Sequence, residues 1–277
     1  MLKVKDVAHY VESIAPPIKG DDSGLIYGDR DNEVRGVVVC WSPTLEVIKA
    51  CQRLKCNLII SHEWLFYYKS DNKWMEDEKP TFEKTPNLER LKLLTENKIS
   101  VLRYHRNWDT TDGGVADTLG ECLGFKNCIK KGFFIRVYRI KPTKLADLLK
   151  TVGEKLHTNC ICHGNLGKII ACVGIAPGGV GQTYTFAEEF LGTPTEVIIF
   201  GEMLEYAKIY TEELGYDFIV TSHEATETPG MIKLADLLKN KLFHDAIPVH
   251  FVSSLGKDRS LARERWLQKT PREDSNL

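Results

Sequence analysis

The chain has 277 residues, 43% hydrophobic and 27% charged, enough for one large α/β unit or two smaller ones with ample core. Its 37 Lys plus Arg against 38 Asp plus Glu leave a net charge of −1, which gives no electrostatic reason for tight nucleic-acid or membrane binding. No apolar run nears the roughly 20 residues that span a bilayer. Residues 1–7 lack a signal-peptide core, and Cys40 and Cys172 sit inside apolar runs, so the expectation is a reduced, cytoplasmic protein.

Short apolar runs alternate with longer amphipathic segments, a pattern that predicts a mostly parallel sheet covered by helices. A strand is expected at 37–41, a helix at 45–54, and a second strand at 57–60. Residues 88–97 read as a helix leading into a strand at 99–104. Asp112 suits an N-cap for a helix over 114–123, with Val115, Leu119, Cys122 and Leu123 at helical spacing and Gly124 to close it. Residues 133–138 alternate in part, as a half-buried strand does, and Pro142-Thr143 then opens a helix bearing Leu145, Leu148 and Leu149. A strand at 169–175 ends in the glycine-rich turn Gly178–Gly181. Strands at 197–200 and 217–220 flank a helix near 203–214, and a helix over 229–242 leads to a last strand at 247–252. The polar tail, 256–277, reads as an exposed or frayed helix. The change of pattern near 124–131, with a return near Thr221, divides the chain into a domain of residues 1–126 plus 222–277 and a second of 127–221.

Three strand ends carry the chemistry. Ile59-Ile60 runs into Ser61-His62-Glu63, the strand at 99–104 into His105 and Asp109, and Phe218-Ile219-Val220 into His223 and Glu227. A lone strand-end histidine is more often hydrogen-bonded structure, a lone glutamate a solvated charge, and a lone aspartate a turn residue. Three such ends are different, because strand C-termini of a parallel sheet share one edge and ligands bind in the crevice there. Imidazole nitrogen with carboxylate oxygen suits Zn, Fe, Mn or Ni. Glu63, Asp109 and Glu227 bring a charge of about −3 against +4 from two divalent ions, leaving room for an anionic group. Pro229 reads as the first helical residue with Thr228 as N-cap, so His223 and Glu227 are expected on the turn before that helix. Gly178–Gly181 lacks the sequel of a phosphate loop and reads as a tight turn. Cys160-Ile161-Cys162-His163 has no nearby partner pair to complete a metal site, and His9, His157, His244 and His250 read as structural.

Several of these segments follow a known order. Asp21-Asp22-Ser23-Gly24-Leu25-Ile26-Tyr27-Gly28, Ile59-Ile60-Ser61-His62, His105 to Asp109 with Gly113-Gly114-Val115-Ala116-Asp117, Gly178 to Gly181, Phe200-Gly201-Glu202, and His223 to Glu227 with Pro229-Gly230 occur in turn. In this the sequence resembles the NIF-three-like family, whose members are often labelled GTP cyclohydrolase one type two homologues. The resemblance implies two interlinked α/β domains, a toroidal homohexamer, and a dinuclear metal site. His62 falls on the family's first histidine, Asp109 on its bridging aspartate, and His223 with Glu227 on its C-terminal pair; His105 falls on the histidine of the second motif. Glu63 stands where the family has its second tandem histidine, Trp64 where it has proline, and Ser42 where it usually has aspartate. A glutamate ligand is harder than imidazole and moves the preferred ion from Zn toward Mn, Fe or Mg.

The expectation is therefore a protein that binds two divalent ions and hydrolyses a small, nucleotide-like molecule, in a manner similar to GTP cyclohydrolases or phosphoesterases. Water activated by one ion is the nucleophile, with Glu63 or Glu202 as general base. The competing expectation is a non-catalytic, metal-stabilised oligomer that binds or regulates.

Overall fold

Runs of β-branched residues without polar alternation are at home in strands covered on both faces. The computed structural model describes residues 1–67 and 85–254 and puts those runs in such positions. Helix α1 (Val4–Ile14) precedes β1 (Gly24–Tyr27), β2 (Val37–Cys40), α2 (Leu45–Arg53) and β3 (Leu58–Ser61). There follow α3 (Thr85–Glu96), β4 (Ser100–Arg103), a short α4 (Arg106–Thr110) and α5 (Val115–Leu123). Next come β5 (Asn127–Lys131), β6 (Arg136–Lys144), α6 (Leu145–Leu156), β7 (Ile161–His163) and β8 (Ile169–Ala176). After a 3-10 turn over Phe186–Phe190 the chain forms β9 (Val197–Phe200), α7 (Glu205–Glu213) and β10 (Asp217–Val220), then the long α8 (His223–Lys241) and β11 (Val249–Phe251).

The α/β class is as the pattern predicts, in two sheets. The first has the order β1-β4-β3-β2-β11 and is parallel except where β1 pairs with β4. The second, β5-β6-β8-β9-β10-β7, is parallel only across β8, β9 and β10. The expectation that the strand ends at Ile60, Tyr104 and Val220 share one sheet edge is corrected here. The first two belong to the first sheet and the third to the second. An apolar run shows that it is a strand, while its neighbours depend on crossovers that local sequence does not encode.

Helices α5 and α8 join the sheets. Val115 packs with α1, β2, β3 and β4, whereas Leu119 and Leu123 pack with α6, β8 and β9. Helix α8 does the same in the opposite sense: Ala225 lies in the second core, and Met231, Leu234, Ala235 and Leu238 lie in the first. The two helices cross at Gly230, where an added Cβ would stand 2.9 Å from the Cα of Val115. The indole of Trp108 donates to the Gly230 carbonyl at 3.1 Å and ties α4 to the same crossing.

Three helix starts differ from expectation. Helix α8 begins at His223, not Pro229, because the Ser222 hydroxyl accepts from Ala225 N and caps it. Pro229 lies inside the helix, and Thr228 is not its cap. Helix α6 begins at Leu145, since β6 stays paired with β8 through Thr143 and Lys144. Helix α5 is capped by Gly114; Asp112 instead pairs with Lys131 at 2.7 Å, and Asp117 accepts from Gly113 N at 2.8 Å. The expected tail helix, 256–277, lies outside the described residues. All eight cysteines are free thiols, and among the described residues no helix is long and apolar enough to cross a membrane.

Because backbone faces backbone at the crossing, Gly230→Ala is expected to destabilise the fold by about 1–3 kcal/mol. A urea midpoint unchanged from that of the unaltered chain would show that α5 and α8 do not approach this closely.

Candidate metal centre

Parallel strands deliver their following residues to one side of a sheet, and here the two sheets turn those sides toward each other. From the first sheet come Trp41 after β2, His62 and Glu63 after β3, and His105 and Asp109 after β4. From the second come Gly178 after β8, Glu202 after β9, and His223 and Glu227 at the start of α8. The helical register of α8 puts His223 and Glu227 four residues apart on one face.

Two imidazoles form the middle of the site. His62 is fully buried, and its Nδ1 lies 2.9 Å from the Tyr104 carbonyl, so Nδ1 carries the proton and donates. In the neutral form its Nε2 then presents a lone pair, 3.3 Å from Asp109 Oδ1 and 3.4 Å from Glu227 Oε2. Both His62 Nε2 and Asp109 Oδ1 are buried without a hydrogen-bond partner. His223 repeats the arrangement. Its Nδ1 meets Glu202 Oε1 at 3.2 Å, and its Nε2 lies 3.2 Å from both Glu63 Oε1 and Glu227 Oε2. Glu202 is held in turn by the side-chain amide of Gln182.

Two groups of donors result, each with all ligand atoms within 4.8 Å: His62, Asp109 and Glu227, and Glu63, His223 and Glu227. Glu227 is common to both, where the resemblance led us to expect Asp109 as the bridge. His105 groups with His62 and Glu63, and separately with Asp21 and Asp22; its Nδ1 lies 3.7 Å from Asp22 Oδ1. Orphaned buried lone pairs facing carboxylates are what a divalent cation resolves, so the residues fit one. Cys160, Cys162 and His163 enter no such group among the described residues, nor do His9, His157, His244 and His250.

A family model described as Duf34/NIF3 (NGG1p interacting factor 3) matches residues 2–257. The chain belongs to this family. It is 27% identical over 268 residues to a protein of Clostridium perfringens named GTP cyclohydrolase 1 type 2 homolog, covering 91% of this chain and 96% of that one. A Methanocaldococcus jannaschii protein of the same name is 24% identical over 258 residues, with 90% of this chain and 100% of the relative covered. The solved structure of a Bacillus cereus protein related to NIF3 superposes with a TM-score of 0.78 at 16% identity, over 93% of this chain and 98% of the other, a likeness of fold.

Within this Duf34/NIF3 chain the sequence did not reveal several residues that shape the site. Trp41 donates from its indole to Glu227 Oε2 at 2.7 Å. Gly178, at φ +72°, leaves space where any Cβ would overlap the Glu227 carboxylate, so the glycine-rich turn is a wall of the site as well as a tight turn. Arg103 is buried and supports the His62 turn: its Nε donates to the His62 carbonyl at 2.9 Å, it pairs with Asp22, and its guanidinium lies 3.8 Å from the Trp64 ring centroid.

Burial alone would disfavour charge on these groups, but their proximity outweighs it. His62 is raised well above its ordinary value by Glu227 and Asp109, and His223 is raised by Glu227, Glu202 and Glu63. Glu227 is held well below the usual carboxylate range by His62 and His223 against the cost of burial. In the metal-free chain the imidazole contribution to stability is complete below pH 6.5 and drains away as pH rises through the raised values. The Glu227 contribution is complete above pH 4.5 and is lost on acidification through its depressed value. With a chelator present, the stability difference between this chain and its Glu227→Gln variant is therefore expected to be largest between those two values. Urea unfolding should show it smaller at about pH 8; a difference that widens toward alkaline pH would contradict the ion-pair geometry.

Proposed function

We propose that this chain holds two divalent metal ions and hydrolyses a small, nucleotide-like substrate. The observation that carries the reading is the pair of imidazole Nε2 atoms, each fixed in tautomer by a partner on Nδ1 and each facing two carboxylates. His62 and Asp109 would hold one ion, His223 and Glu63 the other, with Glu227 serving both. Divalent ions in those places would supply Lewis acidity, the chemistry that activates water and polarises a bond to be cleaved.

The chain's own residues supply the rest. Tyr104 O and Glu202 keep both imidazoles in the ligand tautomer. Glu63 meets His223 at Nε2 and Glu202 meets it at Nδ1; Glu202, 40% exposed, is the one open to take a proton from water, as Glu63 would be where it does not ligate. The His62 side is closed to solvent, while the His223 and Glu202 side chains are 23% and 40% exposed, so substrate would enter from the second sheet. The name carried by the relatives agrees with a cyclohydrolase-like substrate. The mixture of one imidazole and two carboxylates in each group, with Glu63 in place of a histidine, favours Mn, Fe or Mg alongside Zn. A homohexamer remains part of the proposal, from family resemblance.

Metal analysis of the purified chain is expected to return about two equivalents, with loss in both His62→Ala and Asp109→Ala. Unchanged metal content in the two variants would remove the site. The hydrolase reading is checked separately by turnover of GTP, phosphoesters, cyclic amides and amidines. A fully loaded protein inert toward all of them would overturn catalysis and leave the metal site standing.

A further inference from the structure

Trp41 touches four of the candidate ligands through different parts of one residue. Its carbonyl accepts from His62 N at 3.0 Å and from Glu63 N at 2.8 Å, so it closes the turn that carries both side chains. Its indole Nε1 donates to Glu227 Oε2 at 2.7 Å. Its ring meets the His223 imidazole edge-on, with centroids 5.4 Å apart and planes at 65°.

The chemistry of the contact matters. An indole N–H is a donor only: it neither ligates a cation nor changes protonation across the usual pH range. It can therefore fix Glu227 without competing for a ligand position. The oxygen it holds is also the one that stands 3.4 Å from His62 Nε2 and 3.2 Å from His223 Nε2. With one lone-pair direction of Oε2 taken by the indole, rotation of the carboxylate would break a charge-assisted hydrogen bond, so the other direction stays aimed between the imidazoles.

We propose that Trp41 is the positioning residue of the centre, presetting the shared Glu227 carboxylate and restraining His223 before any cation arrives. This rests on the metal-binding reading above. Trp41→Phe separates the parts of the residue, since it removes the indole N–H, keeps an aromatic ring beside His223, and leaves the backbone carbonyl that holds His62 and Glu63.

The test is Zn2+ affinity, by competition with a chromophoric chelator, for the unaltered chain and Trp41→Phe, together with the visible absorption of their Co2+ forms. The variant is expected to bind about 10–100-fold more weakly and to show a shifted Co2+ spectrum, with a urea midpoint close to that of the unaltered chain. Equal or tighter binding with the same spectrum would overturn the proposal. Failure of the underlying reading looks different, since the unaltered chain itself would then bind no Zn2+. Should the variant not fold, 15N-indole spectra of the unaltered chain decide the matter. The Trp41 N–H is expected to exchange slowly and to move on Zn2+ addition, and a freely exchanging, unresponsive signal would refute its bond to Glu227.

Discussion

Helix α8 places Ala225 in the core of the second sheet and Met231, Leu234 and Leu238 in the core of the first. The rest of the site depends on that double anchorage. The residues between the anchors are fixed in both directions, and Glu227 is among them. The same helix starts at His223 because Ser222 caps it, so the two ligand candidates keep their four-residue relation on one face. Had the helix begun at Pro229, His223 and Glu227 would have been loop residues with independent freedom. Ordering them around a cation would then have cost conformational entropy that the continuous helix has already met.

The crossing with α5 explains why several small residues gather near the crevice. Gly230 lets α8 approach Val115, and Gly178 lets the β8 turn approach the Glu227 carboxylate. Both glycines serve closeness rather than flexibility. The first brings the two cores together, and the second shapes the wall that Glu227 faces. Packing between helices and donor spacing at the site are thus two consequences of one constraint, the distance between the strand ends of the two sheets.

Much of the fold was legible. The apolar runs that become β2, β3 and β9 are buried at every position, and such runs announce themselves; β8 is as apolar in sequence although Ile169 and Ala171 are exposed. Strand β5 alternates exposed and half-buried residues over charged positions, and β7 is three residues long, so neither was read. Helix α1 carries Val4, Val7 and Val11 at helical spacing and was legible in principle. Of the site, His62, Glu63, Asp109, His223 and Glu227 stood out because polar, ligand-type residues cluster within a few residues after apolar strands. Trp41 and Gly178 did not, because their part depends on distances across two sheets, and nothing local marks an indole or a glycine for that task. Pro229 misled for a physical reason: proline favours a first turn, but a well-capped start six residues earlier overrode it.

The charge of the cluster gives Glu63, which by resemblance stands where the family has a histidine, its meaning. Four carboxylates, Glu63, Asp109, Glu202 and Glu227, surround two imidazoles, and Asp109 and Glu227 are nearly sealed from solvent. Even with His62 and His223 protonated, these four carboxylates outnumber the two imidazoles between them, and burying such charge is costly unless it is paired. Arg103 is directed at the His62 carbonyl and Asp22 rather than at these acids, so it does not supply the balance. Protonation of His62 would aim Nε2–H at Asp109 Oδ1, 3.3 Å away, and so ease both atoms, but it leaves the surplus charge, which divalent cations would answer. On the proposed metal-binding reading, a carboxylate at position 63 would therefore raise the demand for cations at the exposed half of the site, and as an oxygen donor it would widen the choice of metal beyond zinc.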